Sequence, residues 1–349
     1  METLVIQGGK KLTGCISITG AKNAALPLIA ATLLSGETIN LTCVPNLDDI
    51  FVMCELLESV GVTVNWDKDY LSINAMNAVA KEAPYSLVRR MRASFLIAGP
   101  MLARFGFARM PMPGGCAIGS RPIDLHLKAF TAMGAKLHVG NGYIEATAPK
   151  GLYGTDIYFD YPSVGATENT MMAAALAKGN SVLENVAREP EIVDLANLLT
   201  KMGAKVIGAG TGVIRITGAD ELKGACHTVI PDRIEAGTYM TAAVVTKGDV
   251  TLENIVPEHL TAVIAKLREI GACVEIDESA IRVFAEKEPR PADIKTMPYP
   301  GFPTDLQAQF MSLLSLADGM SIITETVFEN RFMHVDELAR MGAKIKIDG

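Results

Sequence analysis

The sequence has few aromatic side chains. Aromatic residues make up 6% of the 349 residues, with a single tryptophan, whereas hydrophobic residues make up 49% and charged residues 20%. The interior must therefore be built from Ala, Val, Ile, Leu and the 17 methionines, and this composition excludes an intrinsically disordered chain. At about 100–200 residues per domain, the length predicts two domains.

Long stretches of one kind of residue are also absent. No uninterrupted apolar segment reaches the roughly 18 residues of a membrane helix, and the first residues lack the basic and apolar regions of a secretion signal. No run of five like charges occurs, and the formal net charge is −7. These features argue against binding to nucleic acid or to anionic lipid. We expect a cytoplasmic protein in which a local cluster of side chains binds any anion.

Cysteine and histidine do not form metal-binding patterns. The six cysteines contain no Cys-x-x-Cys pair, and among the five histidines only His227 lies next to a cysteine, Cys226. We therefore predict reduced thiols, no metal site and no cofactor. Five of the cysteines are expected to be small buried residues, whereas Cys116 has a different setting.

A short marker recurs along the chain: an apolar residue, then glycine, then Ala or Val. It occurs at intervals of 68–73 residues, at Gly61, Gly134, Gly203, Gly271 and Gly342. Near-equal spacing indicates internal repeats, of which five are present. The first repeat predicts the order β-α-β-α-β-β, with elements at residues 15–19, 22–35, 38–41, 48–59, 62–65 and 70–73.

The two helices of each repeat differ in kind. Residues 24–34, 170–177 and 238–245 carry no charge on any face, whereas residues 48–59, 190–202 and 260–270 are apolar on one side and charged on the other. We expect the first helix of each repeat to be buried all round and the second to be half-buried. This predicts an inverse α/β architecture, with sheets wrapped around helices. A layered sandwich with helices between two sheets is the alternative.

Lys22 lies at the predicted start of a helix, next to Asn23. A cation is disfavoured there by roughly 0.3–1 kcal/mol because the helix dipole is positive at this end. We therefore expect a negative group nearby, and free N–H groups with an adjacent ammonium suit a phosphate or carboxylate ligand. An exposed lysine that reaches into water is the alternative.

Cys116 lies in the stretch PMPGGCAIGSRP at residues 111–122, which the glycines and prolines mark as a loop. Exposure and the nearby Arg121 would lower the pKa of this thiol and make it a usable acid, base or nucleophile. Arg92, Arg121 and Arg331 are candidates for holding a small polyanion if they converge. Taken singly, each could equally be a surface ion pair.

Two further turns precede apolar helices. Asp305 follows a Pro-Gly turn, where it could cap the helix or accept a proton from a substrate hydroxyl. The segment SVGAT at residues 163–167 combines small residues with a hydroxyl, which suits a diphosphate against main-chain N–H groups. Many strand-to-helix turns have the same composition, so the sequence pattern alone decides neither the role of Asp305 nor whether residues 163–167 bind a diphosphate.

Several motifs together resemble the enolpyruvyl transferase family, in particular its members that act on UDP-N-acetylglucosamine. In chain order they are GAKNAALP (20–27), MRAS (91–94), PGGCAIGSRP (113–122), SVGAT (163–167), PDRIE (231–235), PGFPTD (300–305) and ENRF (329–332). The resemblance implies a two-domain inverse α/β barrel of β-α-β-α-β-β repeats. One domain would comprise residues 21–229 and the other residues 1–20 with 230–349.

The resemblance also implies the reaction: transfer of the enolpyruvyl group of phosphoenolpyruvate to the 3-hydroxyl of UDP-N-acetylglucosamine, with release of phosphate, in peptidoglycan precursor synthesis. Asp305 would take the proton from the hydroxyl, Cys116 would donate a proton to C3, and Lys22, Arg121 and Arg331 would hold phosphoenolpyruvate. The remaining implied contacts to the two substrates are Asn23, Arg92, Pro122, Ile123, Asp124, Leu125, Ser163, Val164, Gly165 and Val327. Fosfomycin would alkylate Cys116.

The family carries six repeats, and this sequence contains five, so we expect an incomplete second domain and weak or absent activity of this chain alone. Two alternatives remain at this point. One is the shikimate-pathway enolpyruvyl transferase, which shares the fold and phosphoenolpyruvate. The other is a non-catalytic paralogue that binds a UDP-sugar, or a truncated inactive fragment.

Overall fold

A computed structural model describes residues 5–112 and 123–348 of the chain. The chain divides into two compact units: Gly20–Ile230, here called the larger unit, and Met1–Thr19 with Pro231–Gly349, here called the discontinuous unit. Each unit has its own hydrophobic core. The candidate residues Cys116, Arg121 and Pro122 lie outside the described residues.

The larger unit begins its helices at Lys22 and alternates helices with short strands. Its helices are α1 (Lys22–Ala31), α2 (Asp48–Ser59), α3 (Tyr85–Val88), α4 (Ala98–Phe105), α5 (Asp124–Ala132), α6 (Val164–Ala174) and α7 (Pro190–Met202). Its strands are β2 (Thr38–Thr42), β3 (Thr63–Asp67), β4 (Tyr70–Asn74), β5 (Phe107–Pro111), β6 (Lys136–Gly140), β7 (Tyr143–Thr147), β8 (Asp156–Tyr158), β9 (Asn180–Glu184), β10 (Lys205–Ile207), β11 (Val213–Thr217) and β12 (Cys226–Thr228). Two 3₁₀ helices, Thr32–Leu34 and Arg92–Ile97, extend α1 and precede α4.

The discontinuous unit combines the strand nearest the N-terminus with elements from the last third of the chain. Its helices are α8 (Arg233–Val245), α9 (Thr261–Ile270), α10 (Gln307–Leu314) and α11 (Val335–Arg340). Its strands are β1 (Thr13–Ser17), β13 (Asp249–Glu253), β14 (Cys273–Ile276), β15 (Ala280–Phe284), β16 (Ile294–Lys295) and β17 (Ile323–Thr324). Two 3₁₀ helices, Pro257–Leu260 and Thr304–Leu306, precede α9 and α10.

The three four-stranded sheets share one strand pattern, with one parallel pair and two antiparallel pairs, and the chain exchanges its first strands between the units. The larger unit has the orders β12-β2-β4-β3, β5-β7-β6 and β10-β11-β9-β8, and the discontinuous unit has β1-β13-β15-β14 and β16-β17. The element order predicted for the first repeat is confirmed. However, β1 pairs in parallel with β13, and β12 takes the place beside β2. Periodicity does not predict this exchange, because it depends on which unit each segment joins.

The repeat marker has a simple conformational cause. All five marker glycines have a positive φ, between 94° and 113°. Each lies at the end of the second helix of its repeat, where the chain turns into the left-handed region that glycine adopts without steric cost. The marker is therefore the stop signal of α2, α5, α7, α9 and α11.

Helix burial follows the prediction in the larger unit more closely than in the discontinuous one. All residues of α1 from Ala24 onward are buried, and so are those of α6 from Ala166 onward, while the strands of these repeats expose alternate residues. For α8 the prediction of all-round burial is wrong, because Tyr239 remains 37% exposed. This helix packs on α10, β13 and β15, which leave one of its faces uncovered among the described residues.

The prediction of five buried cysteines is correct for Cys54 and wrong for three others. Cys15, Cys226 and Cys273 are exposed, because their side chains lie on the solvent side of the short strands β1, β12 and β14, and Cys43 is half-buried. Burial raises the pKa of the Cys54 thiol to about 12, with smaller contributions from Glu58 and Glu55. In the described part of the chain, no helix is both long and apolar enough to cross a bilayer.

Candidate active site

Lys22 is the first residue of α1 and has the negative partner that its position predicts. Its Nζ lies 2.7 Å from Oδ2 of Asp49, in the first turn of α2. Both side chains are about one-third exposed, so the ammonium faces solvent on one side. Asn23 beside it is exposed. The sequence predicted a nearby negative charge without identifying Asp49, which lies 27 residues further along the chain.

Arg92 begins a 3₁₀ helix that packs against both α1 and α6. Its positive charge acts on His126, a buried histidine of α5 that sequence reasoning did not single out. Burial, with a further contribution from Arg92, lowers the pKa of His126 to about 3. Thus two of the candidate segments, MRAS and the start of α5, come together around a neutral imidazole.

The start of α5 and the turn before α6 lie side by side. Asp124 is exposed in the first turn of α5, and Ile123 and Leu125 beside it are half-buried. Ser163 caps α6, and its hydroxyl accepts a long hydrogen bond of 3.4 Å from the N–H of Ala166. The imidazole of His126 connects the two segments, because a Cβ added to Gly165 would lie 3.5 Å from its Cε1. Val164 and Gly165 are half-buried at this junction.

A buried carboxyl group lies further along α6. Glu168 is 3% exposed, and its Oε1 makes no hydrogen bond among the described residues. Burial, reinforced by the negative charges of Glu191 and Glu189, raises its pKa well above the ordinary 4.5. These surroundings therefore favour the protonated, uncharged form of Glu168.

In the discontinuous unit, Asp305 binds Arg331. Oδ1 of Asp305 accepts a hydrogen bond of 2.6 Å from Nη2 of Arg331, and Asp305 is 40% exposed against 18% for Arg331. The alternative role of Asp305 as a helix cap is not observed. The 3₁₀ helix Thr304–Leu306 has Pro303 as its N-cap, α10 has Leu306, and neither helix has a side-chain cap.

Glu325 forms hydrogen bonds to the segment that carries Asp305 and to Val327. Its Oε2 accepts a hydrogen bond of 2.9 Å from the hydroxyl of Thr304, next to Asp305. Its Oε1 accepts bonds from the hydroxyl of Thr296 at 2.9 Å and from the N–H of Val327 at 2.8 Å. Asp305, Val327 and Arg331 therefore lie in one hydrogen-bonded region, and Glu325 at its centre was not found by sequence reasoning.

Comparison with known proteins identifies the relatives of the chain. The family model described as EPSP synthase (3-phosphoshikimate 1-carboxyvinyltransferase) matches residues 6–349. UDP-N-acetylglucosamine 1-carboxyvinyltransferase 2 of Carboxydothermus hydrogenoformans is 60% identical over 100% of this chain and 84% of its own length. UDP-N-acetylglucosamine 1-carboxyvinyltransferase 1 of Halalkalibacterium halodurans is 57% identical over 100% of this chain and 80% of its own length. The chain belongs to the enolpyruvyl transferase family.

Solved structures of this family have the same fold. The enolpyruvyl transferase NikO from Streptomyces tendae matches with a TM-score of 0.87 at 22% identity, over 98% of this chain and 82% of that one. EPSP synthase from Acinetobacter baumannii matches with a TM-score of 0.71 at 20% identity, over 96% and 80% of the two chains. The predicted inverse α/β fold of the enolpyruvyl transferases is confirmed.

Proposed function

We propose that this family member is a UDP-N-acetylglucosamine 1-carboxyvinyltransferase. It would transfer the enolpyruvyl group of phosphoenolpyruvate to the 3-hydroxyl of UDP-N-acetylglucosamine and release phosphate. The observation that carries the proposal is 57–60% identity, over the whole chain, to two proteins of that name. The reaction would supply peptidoglycan precursor synthesis in the cytoplasm, and it needs neither a metal nor an organic cofactor.

The larger unit would supply most of the anion-binding groups. Lys22 and Arg121 would hold phosphoenolpyruvate, and Asn23 and Arg92 would align the two substrates. The turn at Ser163, Val164 and Gly165 would bind the diphosphate, since it presents the free N–H groups of a helix start. Pro122, Ile123, Asp124 and Leu125 would contact the uridine.

The discontinuous unit would supply the base. Asp305 would remove the proton of the sugar 3-hydroxyl as the oxygen attacks C2 of the enolpyruvyl group, with Val327 beside the sugar. Its hydrogen bond to Arg331 holds the carboxylate in one orientation until substrate binds. Arg331 would also neutralise an anionic group of phosphoenolpyruvate, since the tetrahedral intermediate carries both a carboxylate and a phosphate.

Cys116 would give a proton to C3 of the enolpyruvyl group in the addition step. Phosphate then leaves the intermediate as the double bond is restored by loss of a proton. We further propose that Cys116 is the thiol that the epoxide fosfomycin alkylates. We take the two packed units as the two domains of the enzyme.

The test measures phosphate release with each substrate alone and with both. We expect release only when phosphoenolpyruvate and UDP-N-acetylglucosamine are present together, and its loss in Cys116→Ala. Cys226→Ala is the matched control, because Cys226 is an exposed thiol on a strand. Binding of UDP-N-acetylglucosamine, measured by calorimetry, gives a readout that does not depend on turnover. Phosphate release at the same rate with and without UDP-N-acetylglucosamine would refute the proposal.

Two further measurements separate the alternatives. Tight binding of 3-phosphoshikimate in place of UDP-N-acetylglucosamine would favour the activity named in the family model's description. Mass spectrometry after fosfomycin treatment should find the label on Cys116 and not on Cys54, whose thiolate is suppressed by burial.

A further inference from the structure

Asn169 lies in the middle of α6, fully buried, and makes three hydrogen bonds to other segments. Its Oδ1 accepts a bond of 2.7 Å from the N–H of Gly99, at the start of α4. Its Nδ2 lies 2.9 Å from the main-chain oxygen of Phe95, in the 3₁₀ helix that begins at Arg92. The same Nδ2 lies 3.1 Å from Nδ1 of His126. One amide thus joins three elements of the larger unit.

These partners fix the chemistry of the imidazole. A main-chain N–H only donates and a main-chain oxygen only accepts, so the amide of Asn169 has one possible orientation. Its second N–H then points at Nδ1 of His126, and Nδ1 must accept. A neutral imidazole whose Nδ1 accepts carries its hydrogen on Nε2.

The surroundings keep this imidazole neutral. An imidazolium would place a hydrogen on Nδ1 against the N–H of Asn169, and burial with the charge of Arg92 lowers the pKa of His126 to about 3. Among the elements packed against α5, α6 brings Glu168, whose pKa is raised by burial and by the charges of Glu191 and Glu189. Lys136 and His138 on β6 and Asp156 on β8 are exposed to solvent.

The Nε2 side of the ring lies against the first turn of α6. A Cβ built on Gly165 would lie 3.5 Å from Cε1 and 3.7 Å from Nε2. We propose that Asn169 is a positioning residue that holds His126 in the Nε2–H tautomer, so that an uncharged donor faces the turn at residues 163–165. By binding Phe95 and Gly99, the same amide fixes the helix that carries Arg92.

The inference rests on the proposed function in one respect, namely that this turn receives the diphosphate of the sugar nucleotide. A neutral N–H there would favour an anion at any pH from 5 to 9, since no proton has to be gained or lost. An imidazole with its hydrogen on Nδ1 would instead present a lone pair to the phosphate oxygens, and binding would weaken.

The first test is nitrogen NMR of the whole protein labelled with ¹⁵N-histidine, with the His126 signals assigned by their loss in His126→Gln. We expect an Nε2–H tautomer that does not titrate between pH 5 and 8. The opposite tautomer, or titration near the ordinary value of about 6.5, would overturn the proposal. This measurement needs no substrate, and therefore it is decisive even if the proposed function fails.

The second test uses Asn169→Asp, which keeps an acceptor for Gly99 and places an oxygen opposite Nδ1. That oxygen requires a hydrogen on Nδ1, so His126 should become an imidazolium at low pH and an Nδ1–H tautomer at high pH. Nε2–H is then present only in the low-pH form. We expect the affinity for UDP-N-acetylglucosamine to fall at least tenfold between pH 5.5 and 8.5, against less than twofold in the unmodified protein.

Asn185→Asp is the matched control. Like Asn169, Asn185 donates from Nδ2 to the main-chain oxygen of a phenylalanine, here Phe159 at 2.7 Å, but its partner is not His126. It should behave as the unmodified protein does. An equal loss of affinity at all pH values in Asn169→Asp would indicate a structural effect only and overturn the proposal. If that variant does not fold, the tautomer of the unmodified protein decides.

Discussion

The two units use the same repeat but enclose their apolar helices to different degrees. In the larger unit, α1 packs against α2 and α7, and α6 packs against α4, α5, α7 and the strands β9 and β11. In the discontinuous unit, α8 packs on α10 and on β13 and β15 of the four-stranded sheet, and Tyr239 on its outer face stays exposed. An apolar sequence therefore makes burial possible, but the number of strands and helices around the helix determines how far burial goes.

The units also hold their candidate site residues differently. In the larger unit the supporting group is the amide of Asn169, which is buried and uncharged, and the neighbouring buried carboxyl of Glu168 has a raised pKa. In the discontinuous unit the support comes from acidic and basic side chains at partly exposed positions, namely Glu325 and the Asp305–Arg331 pair. Buried neutral contacts give a rigid binding surface, whereas partly exposed ionic contacts can be exchanged for contacts to a substrate. We expect the larger unit to provide rigidity and the discontinuous unit to provide the chemical step.

The largest effect should come from removing the proposed base. Asp305→Asn should lower kcat about 10²–10⁴-fold, since an amide cannot take the proton of the sugar hydroxyl. Stability should change by less than about 1 kcal/mol, because the carboxylate is 40% exposed and its pairing is screened by solvent. Phosphate release and urea denaturation measure the two effects. Asp318→Asn, an exposed aspartate of the same unit, should change neither quantity.

The contrast in packing can be tested with one residue type in both units. Leu28→Ala, on α1 where the side chain is 0% exposed, should lower the free energy of unfolding by about 2–5 kcal/mol through lost burial and a cavity. Leu316→Ala, at a 50% exposed leucine of the discontinuous unit, should stay within about 0.5 kcal/mol. Urea denaturation followed by circular dichroism measures both. Equal costs would contradict the difference in burial between these two leucines.

Much of this contrast was accessible from sequence, because charge-free helices and glycine stops follow from local composition. The boundaries of α2 agree with the prediction, as does the position of Lys22 at a helix start. The strand partners of β1 and β12 were not accessible from periodicity, since both segments are short strands of similar composition; the resemblance implied only the domain to which each belongs.

The supporting residues of the site were harder to find than the residues they support. Thr167, Glu168, Asn169 and Thr170 are four successive polar residues before an apolar run, and this is a usable signal, since polar groups buried in a helix require partners. Glu325 gave no such signal, because it lies near the short strand β17 in a polar stretch. The convergence of Lys22, Arg121, Arg331 and Cys116 stays a prediction.

The buried carboxyl group provides a pH-dependent contrast. Because the pKa of Glu168 is raised in the folded state, the unfolded chain releases its proton at a lower pH than the folded chain. Stability should therefore fall as pH rises above about 4.5, with a slope of up to about 1.4 kcal/mol per pH unit from this group. Glu168→Gln should remove that part of the slope between pH 5 and 8.

The measurement is urea denaturation at several pH values, with Glu278→Gln as control. Glu278 is exposed in the discontinuous unit, and its replacement should leave the slope unchanged. A Glu168→Gln protein with the same slope as the unmodified one would show that this carboxyl is ionised in the folded state. That result would also remove the distinction between neutral support in one unit and ionic support in the other.

The smallest effect should come from the ion pair of the larger unit. Asp49→Asn removes the partner of Lys22, but both side chains are about one-third exposed, so the cost in stability should be below about 1 kcal/mol. In 1 M NaCl, where charges are screened over roughly 3 Å, the cost should shrink further. Urea denaturation at low and high salt measures it. A cost above about 2 kcal/mol that persists in salt would mean that Asp49 supports α1 through buried contacts, as Asn169 supports α6. The larger unit would then hold the ammonium of Lys22 as rigidly as it holds the neutral imidazole of His126.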